Sequence, residues 1–590
     1  LGVALNLSIT WTVPGWGAQI PFEHVLSALA AGAFIAFSPV SGWASDRFSK
    51  RGVILSCMWL QLVCFLIIAA SLQSEWIWGA VIGFFLISIQ SVVFAPAKFG
   101  IVKELLGSRR LGSASGWMQM LVIIAIIAGS ALGGWSYQLL EVLPEFGAWK
   151  AASLPMAMLF IFSIIAVWLS LRMRITAPHD PKPFTSDILT KHFSYLGELF
   201  SERRQRRSAL GKSFFWGFGM FIFLVVTAKA KETAGGTSEA GSIAGQMMAC
   251  LGVGAALGGA LAALLSKRRI QLGLVPLGGA GLAITTVLLG ISNTPGTWQY
   301  ITILVFLGVS GSFFLTPLNA YLQDVCSPDR RGRMLAAASM LDAIANLFAV
   351  GFQLLLSSAL GLDTSSQLFV AAAITLCVTL YTTKLLPVDT LRTILLPWMR
   401  LIYGVRSSHA DRLPDSGPVL IVSNHVSYVD AFILSTACHR PVRFLMLKKF
   451  YDLPWANWFL RSAGAIPIDT EKGSASAAIK ACVDSLNNGE VVCIFPEGGV
   501  TRDGELNTFK RGMEIIAKRS NAPVLPVAMS GLFGSFFSHW GKGLMKGLPK
   551  RIPLKVHVSF AEPIPAEEAS ATNAQEIIEN LLEETEDPKK

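Results

Sequence analysis

Three features of the sequence predict a multi-pass α-helical membrane protein that ends in a separate α/β domain. Of 590 residues, 52% are hydrophobic and only 15% are charged, with a mean hydropathy of +0.53, far too apolar for a soluble chain of this size. Eleven predominantly apolar runs of about 20 residues, the length that crosses a bilayer, lie near 24–45, 52–72, 76–97, 113–139, 149–171, 208–230, 243–265, 270–291, 298–322, 334–358 and 366–386. From residue 404 the pattern changes to short apolar runs alternating with helix-like stretches, the signature of a buried sheet covered by helices.

The runs are rich in Gly and Ala, as packed membrane helices are; "LGVGAALGGALAALL" (Leu251 to Leu265) is the clearest case. Alternate loops hold 21 Lys and Arg residues, from Arg47, Lys50 and Arg51 through Arg203–Arg207 to Arg330, Arg331 and Arg333, against three (Lys150, Lys229, Lys231) in the others. That bias places the first set, and everything after the last run, in the cytoplasm. The apolar stretch Leu1 to Trp11 is too short to cross and lacks a basic leader region, so it reads as the end of a partial first span ahead of eleven complete ones. The charged loop 172–207 divides the twelve spans six and six, the organisation of two packed bundles with a site between them. The net charge of +11 follows from the loop bias, and no basic stripe with interleaved aromatics points to nucleic acid. Eight scattered cysteines without a CxxC pair imply reduced thiols, and there is no zinc-like His/Cys spacing and hence no expected metal.

In the cytoplasmic loop "GWASDRFSKR" (Gly42 to Arg51), Gly42 allows close helix approach and Asp46 with the following cations can bridge helix ends. The stretch resembles the loop signature of the major facilitator superfamily, with Ser49 where that pattern usually has Gly, and "DRRGR" (Asp329 to Arg333) echoes it in the second half. The segments Phe94 to Leu105, Ser213 to Val226 and Phe313 to Asp324 resemble the bacterial lysophospholipid transporter branch. The resemblance covers residues 20–390 and implies inward movement of lysophospholipid, chiefly lysophosphatidylethanolamine, across the inner membrane. Polar groups at membrane depth tend to be functional. Asp342 is nine residues past Arg333, about 13 Å into its span at 1.5 Å per residue, and Asn346 follows one turn later. Lys98 and Asn319 lie in the family-like segments. Asp342 suits a lipid ammonium and Lys98 a phosphate; equally, Lys98 can snorkel at the interface and Asp342 can serve an interhelical hydrogen bond.

After Pro387, "VDTLRTILLPWMRLIYGV" can form an amphipathic helix on the membrane surface, with 391–403 as the linker, 404–567 as the α/β domain and 568–590 as a charged helical tail. The strand-like "VLIVS" (Val419 to Ser423) runs into Asn424, His425 and, five residues on, Asp430. Catalytic groups commonly sit at such strand ends, and Asp430 can fix the tautomer of His425 and stabilise its protonated form, making it a general base for a hydroxyl. Further along, "VVCIFPEGGVTRDGELNTFKRG" (Val491 to Gly512) offers Glu497, Gly498, Gly499, Thr501, Arg502 and Lys510 as backbone donors and cations for a phosphate. With "GAIPIDTEKG" (Gly464 to Gly473) and "VLPVAMSG" (Val524 to Gly531), these blocks resemble, in order, the glycerophospholipid acyltransferases that include lysophosphatidate acyltransferases. The resemblance implies that His425 is the base, Asp430 its partner, and that Asn424, Glu497, Gly498, Gly499, Thr501, Arg502 and Lys510 bind the acceptor. Two positions depart from that pattern: Thr470 stands where the family has Arg, and Thr501-Arg502 comes two residues late.

Together the halves imply retrieval and re-acylation of lysophospholipid in a bacterial inner membrane. The partners are membrane lipids and an acyl-carrier-protein or coenzyme A thioester as co-substrate, with no other cofactor. Two other readings fit the same residues: a lysophosphatidate acyltransferase fused to an unrelated transporter, and a transporter with a non-catalytic lipid-sensing domain.

Overall fold

The computed structural model describes residues 10–12, 19–141, 148–178, 180, 183–233, 240–266, 269–292, 296–469, 474–539 and 554–586. The stretch read as a partial first span and Thr470 fall largely or wholly outside them. The chain divides into two compact units, Leu1–Lys384 and Leu385–Lys590.

In the first unit a short ribbon, β1 (Thr10–Thr12) and β2 (Gln19–Pro21), precedes α1 (Phe22–Arg47), α2 (Lys50–Gln73), α3 (Ile77–Glu141), α4 (Ala148–Ala151) and α5 (Ser153–Leu171). The loop helix α6 (His192–Ser201) leads to α7 (Arg203–Thr233), α8 (Ala240–Leu265), α9 (Leu274–Ile291), α10 (Trp298–Val325), α11 (Arg331–Leu354) and α12 (Thr364–Leu385). Eight helices among the described residues are long and apolar enough to cross a membrane. Two of the expected runs, 76–97 and 113–139, belong to α3, which breaks at Gly107, where φ is +67°; only glycine adopts that geometry cheaply. Large apolar side chains such as Leu121, Ile126, Phe162 and Leu380 face outward, where lipid tails stand in for a core.

Glycine lets α1 approach α11: a Cβ on Gly42 would lie 2.8 Å from the Cα of Arg333. At this crossing Asp46 accepts from Gly332 N at 2.6 Å, Arg333 N at 3.0 Å and Arg333 Nε at 3.3 Å. A carboxylate thus caps the otherwise unsatisfied, electropositive start of α11, and Arg333 Nη2 reaches on to Asp180 at 3.1 Å. Lys103 pairs with Asp324 at 2.9 Å, joining α3 to the end of α10.

The second unit starts with α13 (Pro387–Ile402), whose Trp398, Leu401 and Ile402 are exposed. Its seven-stranded sheet has the order β3-β9-β8-β4-β7-β5-β6, where β3 is Arg406–Ser408, β4 Val419–Ser423, β5 Val442–Leu447, β6 Ile466–Ile468, β7 Val491–Ile494, β8 Val524–Ser530 and β9 His557–Phe560. All pairings are parallel except β8 with β9. Its helices are α14 (Asp430–Ala437), α15 (Lys448–Tyr451), α16 (Pro454–Ser462), α17 (Ser474–Asn487), α18 (Gly512–Ser520) and α19 (Ala571–Glu586). Ile421, Cys493, Leu525 and Val527 fill the core on one face of the sheet, and Leu420, Val422, Val492 and Ile494 the core on the other. Burial on both faces explains why the strands read as continuous apolar runs. The charged end is not an appendage, since Ala571, Ala574 and Ile578 of α19 are buried in the second of these cores.

Asp46→Ala strands the N–H groups of Gly332 and Arg333. The expected outcome is a lower thermal midpoint in detergent, equivalent to about 1–3 kcal/mol; an unchanged midpoint would show that the contact does not hold α1 to α11.

Candidate functional site

Strands β4 and β7 are parallel neighbours, with Val422 opposite Ile494, so the segments that leave their C-terminal ends emerge at one edge of the sheet. Ligand sites of open α/β sheets form at that edge. From β4 the chain turns through Asn424–Val429 into α14, and from β7 through Phe495–Arg511 into α18.

The first turn is built around Asp430, which is fully buried. Its Oδ2 accepts from His425 Nδ1 at 2.8 Å, Val426 N at 2.7 Å and Ser427 N at 2.9 Å. A carboxylate only accepts, so Nδ1 carries a proton, and in the neutral imidazole Nε2 is the nitrogen left with the lone pair. Burial pushes the Asp430 carboxyl above the usual carboxylate range, against the pull of the His425 and backbone donors. The His425 side chain remains 20% exposed, and its ring stacks on Phe495 with centroids 4.2 Å apart and planes 13° apart.

The expected acceptor residues separate into two groups. Asn424, Glu497 and Thr501 are buried and brace the turn. Asn424 bonds both ways with the backbone of Met529, Nδ2 to O at 2.9 Å and N to Oδ1 at 2.8 Å. Glu497 accepts from His425 N at 2.6 Å and from Asn507 N and Nδ2 at 3.0 and 2.9 Å; burial raises its carboxyl above the usual range, opposed by these donors. Thr501 N donates to His425 O at 2.9 Å. Gly498, Gly499, Arg502 and Lys510 are exposed. Gly498 has φ +81°, and a Cβ on it would collide with Lys510 Nζ, so a glycine turn and an ammonium group share one spot beside His425. Backbone donors next to a cation suit an anionic head group.

The sequence reading missed the segment after β8. Ser427 pairs with Ser538, Ser427 Oγ lies 3.3 Å from Ser535 Oγ, and Tyr428 N donates to Phe537 O at 3.2 Å. Only spatial proximity, across more than a hundred residues, reveals these contacts. Asn507 lies inside the quoted block, ten residues past its partner Glu497, but neither its type nor its spacing set it apart.

In the membrane unit, Asp342 is buried and already paired. Its Oδ2 lies 2.6 Å from Lys212 Nζ, and its Oδ1 accepts from Ser213 Oγ at 2.8 Å. Lys212 is a lysine inside the apolar run 208–230, and that was the available signal. Lys98 lies over Phe94 and Phe99, 5.3 and 4.9 Å from the ring centroids. Asn319 is buried on α10, and Asn346 Oδ1 is buried without a hydrogen-bond partner among the described residues. No hydrogen bond or ion pair among the described residues joins Lys98 or Asn319 to Asp342.

Glu497→Gln places an amide NH₂ where the carboxylate receives three donors. On the reading of His425 as a base, the expected outcome is a fall in acyl transfer of about 10–100-fold in kcat, since a shift of about 1 Å at a reacting centre costs this much, with acceptor KM within twofold. A large rise in KM at constant kcat would instead mark Glu497 as an acceptor ligand.

Residues 3–350 and 213–393 match the family model of the Major Facilitator Superfamily, and residues 404–530 match that of Acyltransferase. Among curated proteins, the lysophospholipid transporter LplT of Klebsiella pneumoniae subsp. pneumoniae is 29% identical over 334 residues, covering 55% of this chain and 75% of that protein. Among solved structures, a double-tryptophan variant of XylE overlays with a TM-score of 0.52 at 14% identity, covering 64% of this chain and 90% of that one. The 1-acyl-sn-glycerophosphate acyltransferase PlsC from Thermotoga maritima covers 35% of this chain and 81% of its own, at 21% identity and a TM-score of 0.29. The chain belongs to the Major Facilitator Superfamily, in which it is similar to the lysophospholipid transporters, and it carries a C-terminal acyltransferase domain.

Proposed function

We propose that the protein brings lysophospholipid, chiefly lysophosphatidylethanolamine, to the inner leaflet of a bacterial inner membrane and re-acylates it there from an acyl-carrier-protein or coenzyme A thioester. The observation that carries the enzymatic half is the 2.8 Å hydrogen bond from His425 Nδ1 to Asp430, beside an exposed glycine turn with Lys510 and Arg502. In this reading His425 Nε2 takes the proton of the lipid's free hydroxyl as that oxygen attacks the thioester carbonyl. Asp430 holds the tautomer and stabilises the imidazolium, and Gly498, Gly499, Arg502 and Lys510 receive the head-group phosphate. The proton then passes to the departing thiolate. The cytoplasmic placement of the domain is supported by the loop charge bias. Asp342, with Lys98, Asn319 and Asn346, is assigned to the lipid path.

His425→Ala in the folded full-length chain should lose on the order of 10²–10⁴ in acyl-transfer rate, the usual contribution of general acid–base catalysis. Near-normal turnover would end this reading. Parallel assays with lysophosphatidylethanolamine and lysophosphatidate as acceptors decide the head group, and absence of transfer to either would favour a lipid-sensing domain.

Transport and acylation should be separable. Asp342→Ala should slow entry of labelled lysophosphatidylethanolamine into spheroplasts while leaving acylation in detergent intact, and His425→Ala should do the reverse. Unchanged uptake in an Asp342→Ala protein shown to be folded would remove Asp342 from the lipid path. A cysteine at the exposed Glu576 position, in a Cys377→Ser background, should react with an impermeant maleimide only after the cells are broken. Reaction in intact spheroplasts would reverse the topology.

A further inference from the structure

We infer that Phe495 is a positioning residue for His425 and decides whether the acyl group goes to a lipid hydroxyl or to water. The inference rests on the reading of His425 as base. Phe495 directly follows β7, and its ring lies nearly flat on the imidazole, with centroids 4.2 Å and planes 13° apart. Phe444 of the neighbouring strand β5 lies nearly parallel to it, with centroids 6.4 Å and planes 15° apart.

The geometry leaves the imidazole little freedom. Asp430 occupies the Nδ1 edge and Phe495 covers one face, so Nε2 and the opposite face are the approaches that remain. The charged groups that bear on the ring are Asp430 from α14 and Glu497 from the loop after β7, whose carboxylate sits on the His425 backbone N–H; Lys510 lies across the Gly498 turn. Neither carboxylate shields the ring face from water. Phe495 does.

Two consequences follow from this contact. In acyl transfer the hydroxyl oxygen bonds to the thioester carbonyl carbon, the C–S bond breaks, and the hydroxyl proton moves through Nε2 to the thiolate, giving ester and thiol. If water takes the place of the hydroxyl, the same steps give free fatty acid and thiol. An apolar plate over the base removes sites at which a water could be held and activated. The ring's negative π face also stabilises the positive charge that collects on the imidazole as it accepts the proton.

The test uses the full-length chain in nanodiscs with acyl-coenzyme A and lysophosphatidylethanolamine, comparing Phe495→Leu, Phe495→Ala and Phe495→Tyr. Leucine keeps most of the bulk but has no π face. We expect Phe495→Leu to lower kcat about 10–100-fold with acceptor KM within twofold, and to raise severalfold the fraction of thioester lost to hydrolysis. Phe495→Tyr should restore both kcat and the partition. A Phe495→Leu protein with wild-type kcat and partition would overturn the inference, as would a Phe495→Tyr protein that behaves like Phe495→Leu. Thermal midpoints identify any variant that fails to fold, and the leucine–tyrosine comparison decides the matter if alanine does not. If His425→Ala turns over like wild type, the base reading itself fails; if His425→Ala is inactive and Phe495→Leu is unaffected, only the role of Phe495 fails.

Discussion

A carboxylate with no exposed surface is tolerated when donors converge on it, and Asp430 meets that condition by bending the chain around itself. His425 Nδ1 and the N–H groups of Val426 and Ser427 all point at one oxygen. Those donors come from consecutive residues only if the chain leaves β4 in a tight turn and enters α14 at once. An unpaired charge there would cost several kcal/mol, so the turn and the position of His425 are fixed together. His425 is placed by the same bonds that make burial of its partner tolerable.

Around that turn the remaining polar residues divide by exposure. Asn424, Glu497 and Thr501 are spent on holding backbone, to Met529, to His425 and Asn507, and to the His425 carbonyl respectively. Gly498, Gly499, Arg502 and Lys510 face outward. Bracing by buried groups keeps a site within the fraction of an ångström that chemistry needs, and it leaves exposed groups free to meet an anion. The side-chain oxygens of Glu497 are therefore part of the frame of the His425 turn.

The membrane unit applies the same constraint where water is scarcer still. Asp46 lies at the start of α11 and takes its first N–H groups as partners, while Asp342 takes Lys212 and Ser213. Both contacts join segments more than a hundred residues apart, and each adds a polar tie between helices that have no hydrophobic driving force to associate, since lipid is as apolar as they are.

The sequence by itself determined a great deal. Composition and run length settle the membrane class, because about 20 apolar residues have no other stable home. Short apolar runs with helix-like spacers define the α/β domain, and the order of its blocks brought His425 and Asp430 forward as a pair. These signals are local, and local pattern is what a linear chain carries. Tertiary structure alone decided that Lys212 neutralises Asp342, that Glu497 and Thr501 hold His425 in place, that the segment 531–538 closes on Ser427 and Tyr428, and that α19 belongs to the core. It also stacked Phe495 on His425, because parallel pairing brings the ends of β4 and β7 to one edge from positions some seventy residues apart. Each of these outcomes depends on which groups meet after burial, when an unpaired donor, acceptor or charge becomes expensive, and no spacing along the chain encodes that meeting.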